Sequence, residues 1–145
     1  ANVAKTNNLN PTIVVEDPEY KFPRYRFKGY KKIEIDIADR SSQYHQAKSH
    51  ALQIPIKVMN FNLEDIKQLL YKGKILLLRL NIGILRNSKK NKLNVHYIPV
   101  YNYGNNKFAI MDPSRGKKII EEDQFKESFE AVKTKCKRDN RMIIF

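Results

Sequence analysis

A hairpin signal in the second half of the chain constrains the fold more than any other feature. Residues 95–101 alternate apolar and polar side chains, as a half-buried β-strand does, and residues 107–111 form an apolar returning segment. Gly104-Asn105-Asn106 between them is a turn signal, because glycine and asparagine tolerate the backbone conformations that tight hairpins use. The pattern predicts two antiparallel strands of one sheet.

Other segments predict the strands and helices that complete this sheet. Further strands are predicted at residues 12–15, 33–37, 54–58, 74–81, 117–120 and 141–145. Helices are predicted over residues 39–52 and 121–135, and a third begins after Asn62, a good N-cap, and ends at Gly73. Residues 87–94 are predicted to form a polar, basic loop. The fold class is therefore α+β, an antiparallel sheet with flanking helices.

The N-terminal part of the chain is first polar and then rich in aromatic and basic residues. Residues 1–11 are polar and predict an arm, and Pro18 and Pro23 punctuate an aromatic, basic stretch. Its aromatic residues are Tyr20, Phe22, Tyr25, Phe27 and Tyr30. They either stack on nucleic-acid bases or, as we favour, pack on the core as part of a connection. We therefore divide the chain into an arm with this connection over 1–28 and a folded domain over 29–145.

Composition excludes several classes of protein. Cys136 is the only cysteine among 145 residues, so no intrachain disulfide can form, and we expect a reducing, intracellular compartment. The longest apolar runs are far shorter than the roughly 20 residues that span a bilayer. Residues 1–5 have no apolar signal core. The sequence starts at Ala1 without an initiator methionine, which favours a processed chain or a piece of a longer one.

The chain carries a net charge of +13, and its basic residues are unevenly placed. Residues 66–111 contain no acidic residue, which favours binding to polyanions such as RNA. The bias of an AT-rich genome towards lysine and asparagine produces the same pattern without selection for binding, so this alternative stays open. The basic residues that we predict to bind nucleic acid or a protein partner are Lys72, Lys74, Arg86, Lys89, Lys90 and Lys92.

One histidine and one aspartate stand at matching positions of the predicted hairpin. His96 opens the first strand and Asp112 ends the second, so antiparallel pairing brings them together. We predict that the two side chains lie on one face, within hydrogen-bond reach. A carboxylate that accepts the hydrogen of imidazole Nδ1 leaves Nε2 free to activate a nucleophile. By spacing alone, an unrelated hairpin that holds both residues is the commoner explanation.

Metal and cofactor chemistry find little support in the sequence. His45 and His50 are five residues apart rather than the four that place two ligands on one helical face. The glycines are too scattered for a phosphate-binding loop. Cys136 lies on a predicted helix with Phe125 and Phe129 at helical spacing, which is typical of a core residue rather than a nucleophile. We therefore predict no metal and no cofactor.

Three short stretches, taken in order, resemble the C-terminal half of papain-like cysteine peptidases. They are residues 73–78, 96–103 and 108–113, which read GKILLL, HYIPVYNY and FAIMDP. They are similar to the bacteriocin-leader (double-glycine) peptidases and, most closely, to the eukaryotic guanylyl cyclase domain-containing proteins. The narrower likeness is supported by residues 41–48, 63–70, 129–131 and 139–145. The resemblance covers roughly residues 29–145.

This resemblance implies roles for the two hairpin residues. His96 corresponds to the family's histidine, and Asp112 to the aspartate or asparagine that orients it. The family's nucleophilic cysteine lies far upstream in an aromatic-Asp-Cys-Gly segment, and residues 1–28 contain no such motif. One hypothesis is that the chain is a fragment of a cysteine peptidase-like protein, with the Cys segment supplied by a second chain. The other is a pseudoenzyme scaffold, or a basic structural subunit of a larger assembly, that binds RNA or protein.

Overall fold

A seven-stranded sheet runs through the computed structural model, which describes residues 1–18, 32–88 and 93–145. Its strands are β1 (Thr12–Val15), β2 (Ile56–Val58), β3 (Leu76–Asn81), β4 (Val95–Gly104), β5 (Lys107–Asp112), β6 (Gly116–Glu121) and β7 (Arg141–Ile144). The order across the sheet is β2-β1-β7-β3-β4-β5-β6. Neighbouring strands are antiparallel except β1 and β2, which are parallel. The predicted α+β class is confirmed.

Helices flank this sheet and enclose its core on one face. In the described residues they are α1 (Asn2–Thr6), α2 (Lys32–Ala51), α3 (Leu63–Tyr71), α4 (Ile82–Leu85) and α5 (Glu122–Thr134). Helices α3, α4 and α5 pack on the central strands, and the largest cluster of buried apolar residues lies between them and the sheet. Phe125 of α5 stacks on Phe108 of β5 with ring centroids 3.8 Å apart. This stack fixes the N-terminal half of α5 against β5.

Helix α3 begins and ends at the signals in its sequence. The Asn62 side chain accepts hydrogen bonds from the backbone N–H groups of Glu64 at 2.8 Å and Asp65 at 3.1 Å. Asp65 in turn accepts from the backbone N–H of Asn62 at 2.8 Å, which completes a capping box. Beyond the helix, Gly73 has a φ of 72°, the left-handed conformation that commonly ends helices. The predicted helix between Asn62 and Gly73 is confirmed.

Strands β4 and β5 form the predicted hairpin. Gly104 pairs with Lys107, so Asn105 and Asn106 alone make the turn. Their φ angles are 50° and 58°, which is the left-handed pair that a two-residue type I′ turn requires. Asparagine tolerates this conformation better than most side chains do. The turn therefore sets the register of the hairpin, apart from an irregularity just beyond Val100.

The register of the central strands decides which side chains face the helices. Leu80 of β3 lies opposite His96 of β4, and Val100 of β4 lies opposite Ile110 of β5. Side chains on one face of a strand recur at every second residue. His96 and Asp112 therefore share the face that α3, α4 and α5 cover.

The strand predicted at residues 33–37 is wrong. Its alternating isoleucines predict a strand, but these residues form the first turns of α2. Ile33 and Ile37 are 64% and 62% exposed, so no sheet buries the apolar side that the alternation implies. A strand needs a partner for its backbone groups, whereas a helix satisfies them within the segment. The helix predicted from residue 39 is confirmed and continues this segment to Ala51.

Three other segments complete the comparison. The polar residues 1–11 include helix α1, in which Asn2 donates to the backbone oxygen of His45 at 3.0 Å. Helix α4 is not predicted by the sequence patterns. The aromatic stretch after Pro18 lies outside the described residues. Within the described ranges, no helix has the length and apolar character needed to cross a membrane.

Candidate functional site

Asp112 lies at the end of β5 with only 4% of its surface exposed. Both carboxylate oxygens accept hydrogen bonds from the guanidinium of Arg86, through Nε at 2.7 Å and Nη2 at 2.5 Å. The backbone N–H of Ser114 also donates to Oδ1, at 2.9 Å. The Arg86 guanidinium, more than any other group, lowers the pKa of Asp112 from 3.8 to about 2. The same pair raises the pKa of Arg86. Asp112 is therefore held as a carboxylate over the whole physiological pH range.

His96 lies near the start of β4 on the same face as Asp112, but its side chain is exposed. Among the residues that the structure describes, no hydrogen bond joins His96 to Asp112. The predicted hydrogen bond is therefore not formed, although the predicted common face agrees with the register of the strands. Both oxygens of Asp112 bind Arg86 instead, because a guanidinium presents two parallel donors that match both oxygens of a carboxylate.

Helix α4 explains how Arg86 reaches Asp112. The chain leaves β3 at Asn81, whose side chain caps α4 by accepting a hydrogen bond from the backbone N–H of Ile84 at 3.1 Å. One helical turn later, Arg86 follows as the C-cap and its backbone N–H bonds to Ile82. One signal for this pair is present in the sequence. Asp112 is the first carboxylate after a long basic window, so a cationic partner from that window was to be expected.

Cys136 is fully buried beyond the end of α5. Its Sγ lies 3.3 Å from Nδ2 of Asn81, which donates to it, and it packs with Val95 and Val132. Val95 and His96 are adjacent on a strand and so point to opposite faces. The thiol therefore sits on the side of β4 away from the imidazole. Its prediction as a core residue is confirmed by its burial.

One protein-family model matches the part of the chain that contains both site residues. The model of the Peptidase C39 family matches residues 32–140, about three quarters of the chain. This chain belongs to the Peptidase C39 family. The α+β sheet with flanking helices agrees with the papain-like fold of this C39 family, and the matched range includes His96 and Asp112. No curated protein and no solved structure matches the chain.

Of the basic residues predicted to bind a polyanion, the three that the structure describes do not form one cluster in this C39 domain. Lys72 and Lys74 are exposed and precede β3, whereas Arg86 follows it. The intervening strand separates the two ends by about 20 Å, at about 3.3 Å per residue. The charge of Arg86 is also neutralised by Asp112. The remaining predicted residues, Lys89, Lys90 and Lys92, lie outside the described residues, and the binding role of the set stays a prediction.

A second polar cluster of this C39 domain was missed by sequence reasoning. Lys67 of α3, whose side chain is 11% exposed, bonds to Glu64 at 2.9 Å and to Glu122 of α5. The hydroxyl of Tyr103 donates to the other oxygen of Glu122. Lys67 and then Tyr103 lower the pKa of Glu122, and the bond to Glu122 raises the pKa of Tyr103. The cluster ties α3, α5 and β4 together, and in the described parts of the chain no group of three potential ligands could hold a metal ion.

Proposed function

We propose that this C39-family chain is a catalytically silent, cysteine-peptidase-related domain that acts as a binding scaffold. The observation that carries the proposal is the ion pair between Arg86 and Asp112. Thiol hydrolysis needs an imidazole that is oriented by a carboxylate and that lies beside a thiolate. Asp112 instead binds Arg86 through both oxygens and the backbone N–H of Ser114 through one, and it forms no hydrogen bond to His96 in the described structure.

The position of the thiol supports the same proposal. Cys136 has no solvent exposure and its sulfur accepts a hydrogen bond from Asn81. A nucleophilic thiol is partly exposed and sits in an electropositive environment that lowers its pKa. The first condition does not fit this sulfur, which is fully buried and packs with Val95 and Val132. Because Cys136 is the only cysteine of the sequence, a reducing compartment stays part of this proposal.

The competing proposal is that a Cys-bearing segment joins this domain from a second chain or from elsewhere in a longer protein. The exposed imidazole of His96 could receive such a thiol. Arg86 would then have to release Asp112, which makes the ion pair the point at which the two proposals differ. Within the family, the likeness to guanylyl cyclase domain-containing proteins, through residues 41–48 and 129–131, remains part of this proposal.

A thiol-reactive peptide probe separates the two proposals. We expect a peptide vinyl sulfone to leave Cys136 unlabelled in the folded native protein, and to label it after unfolding in urea, as read by peptide mass spectrometry. An active fragment complex would instead show labelling of a cysteine in the native sample that His96→Ala abolishes. Such histidine-dependent labelling, at Cys136 or on a co-purified chain, would overturn the silent-scaffold proposal.

An NMR experiment tests the ion pair directly. We expect Arg86→Gln to free Asp112 to accept a hydrogen bond from the imidazole N–H of His96 on the same face, and so to slow the exchange of that proton with water relative to the unmodified chain. The matched control is the double variant Arg86→Gln/Asp112→Asn, which has no carboxylate to turn towards His96. An Arg86→Gln variant whose His96 N–H exchanges as in the double variant would show that Arg86 is not what keeps the pair apart.

A basic, RNA-binding subunit is the second candidate, favoured by the exposed Lys72 and Lys74 in a chain of net charge +13. Phosphate binding should weaken steeply with salt, because each contact releases counterions. Filter binding to a generic RNA should therefore be strong at low salt and lost at high salt. Comparing Lys72→Gln/Lys74→Gln with Lys89→Gln/Lys90→Gln would tell which of the two basic stretches of the sequence binds. No binding at low salt would remove this candidate.

A further inference from the structure

An acidic groove lies between the N-terminal turn of α3 and the length of α5. Its volume is about 620 Å³, which is within the range of sites that hold several side chains of a ligand. Phe61 and Phe129 contribute apolar rings to its wall, with centroids 5.8 Å apart. Arg86, His96 and Asp112 do not line this groove, so the inference goes beyond the proposed function and does not depend on the state of His96.

The charge of the groove is opposite to that of the chain. Five carboxylates and two lysines line it, which gives a formal charge of −3 in a protein of net charge +13. The carboxylates are Glu16, Glu64, Glu122, Asp123 and Glu130. Lys67 does not line the groove, but it bonds to both Glu64 and Glu122 and so compensates two of these charges. Asp123 and Glu130 are exposed, and neither forms an ion pair within the described part of the chain.

An unsatisfied acceptor lies at the buried wall of the groove. Asn140 is 2% exposed, and its Oδ1 has no hydrogen-bond partner. Its backbone N–H donates to Glu16 at 2.8 Å, and its Nδ2 lies 3.5 Å from the other oxygen of the same carboxylate. A buried acceptor without a donor carries an uncompensated desolvation cost, so a ligand that supplies a donor gains by it.

The ion pair between Lys133 and Glu16 indicates that this part of the groove binds a cationic group. The Nζ of Lys133 bonds to Glu16 at 3.1 Å, although the lysine side chain is 52% exposed and that of Glu16 only 7%. A long, half-exposed lysine side chain can leave this position at little cost, because it regains rotamer freedom and hydration. A second ammonium or guanidinium group can then bind Glu16 and also donate to Oδ1 of Asn140.

We propose that this groove binds a basic peptide segment of a partner protein. One lysine or arginine of the segment displaces Lys133 and donates to Glu16 and Asn140. An adjacent aromatic or aliphatic side chain packs on Phe61 and Phe129, and flanking positive charges of the segment face the exposed carboxylates on α5. The combination of an apolar wall with separated carboxylates favours a peptide over a small amine, because a polyamine has no side chain to bury.

The test uses the whole chain and a fluorescein-labelled peptide, acetyl-Gly-Lys-Phe-Lys-Gly-amide, in fluorescence anisotropy at low ionic strength. Asp123→Asn/Glu130→Gln should weaken binding about fivefold to tenfold, since it removes two carboxylates that face the peptide. Asp36→Asn/Asp39→Asn removes the same charge from exposed positions on α2, and should change the Kd by less than about twofold. Equal effects of the two double variants would overturn the proposal, because binding would then follow net charge alone.

A second pair of variants tests the role of the displaced lysine. Lys133→Met removes the internal competitor for Glu16 and should tighten peptide binding. Lys135→Met is the matched control, since Lys135 is also 52% exposed but pairs with Glu127 outside the groove. The proposal fails if both variants tighten binding equally. It also fails if spermidine displaces the peptide at an equal concentration, or if replacing the phenylalanine of the peptide by serine leaves its Kd unchanged.

Discussion

Replacing Asp112 with Asn tests the central ion pair through protein stability. The carboxylate is nearly buried and its pKa falls from 3.8 to about 2, mainly through its hydrogen bonds to Arg86. A lowering of this size corresponds to about 2 kcal/mol of stability at neutral pH. Asp112→Asn should therefore destabilise the fold by about 2 kcal/mol at pH 7, because it leaves the charge of Arg86 without its partner.

The lowered pKa of Asp112 fixes the direction in which its contribution to stability changes with pH. The pKa of Asp112 is lower in the folded than in the unfolded chain, so its stabilisation is complete well above pH 3.8 and is lost as the pH falls through about 2. By linkage, the unmodified chain should lose about 1 kcal/mol of this contribution by pH 3 and about 2 kcal/mol by pH 2. The asparagine cannot titrate, so the difference between the two proteins should shrink to about 1 kcal/mol at pH 3.

Urea denaturation at pH 7 and at pH 3, followed by far-ultraviolet circular dichroism, measures this difference. Asp39→Asn is the control, since Asp39 is an exposed carboxylate on α2, and it should change stability by less than about 0.5 kcal/mol at either pH. Other carboxylates titrate in both proteins and cancel in the comparison when they are distant from Asp112. A difference between Asp112→Asn and the unmodified chain that stays constant from pH 7 to pH 3 would refute the argument.

Three further substitutions test the packing, the helix end and the polar cluster, each by urea denaturation at neutral pH. Phe125→Ala should cost about 3–5 kcal/mol, because Phe125 is fully buried and stacks on Phe108; a loss under about 1 kcal/mol would contradict this packing. Gly73→Ala should cost about 1 kcal/mol through backbone strain alone, since φ is 72° and no atom lies within 4 Å of the added methyl group. Tyr103→Phe should cost about 1 kcal/mol, because Glu122 loses a hydrogen bond, and an unchanged midpoint would show that the hydroxyl contributes nothing.

Local signals predict much of the central sheet and its helices. The capping box at Asn62 and the turn at Asn105 and Asn106 act within a few residues, so the sequence pattern alone places them. The alternation at residues 33–37 predicts the wrong element, because a strand depends on a distant partner that the segment does not have. The conformation of such a segment is decided by what the rest of the chain offers to its backbone and its side chains.

The arrangement of the candidate site was likewise predicted only in part by the sequence. Sequence alone determined that His96 and Asp112 stand at matching ends of one hairpin, and that Cys136 is a core residue. Only the tertiary structure decided that Arg86 binds Asp112, that the thiol lies on the far side of β4, and that carboxylates from separate elements meet beside Asn140. The physical reason is distance along the chain. Pairing between groups tens of residues apart depends on how helices pack on the sheet. No local pattern encodes which of several cations pairs with a buried carboxylate.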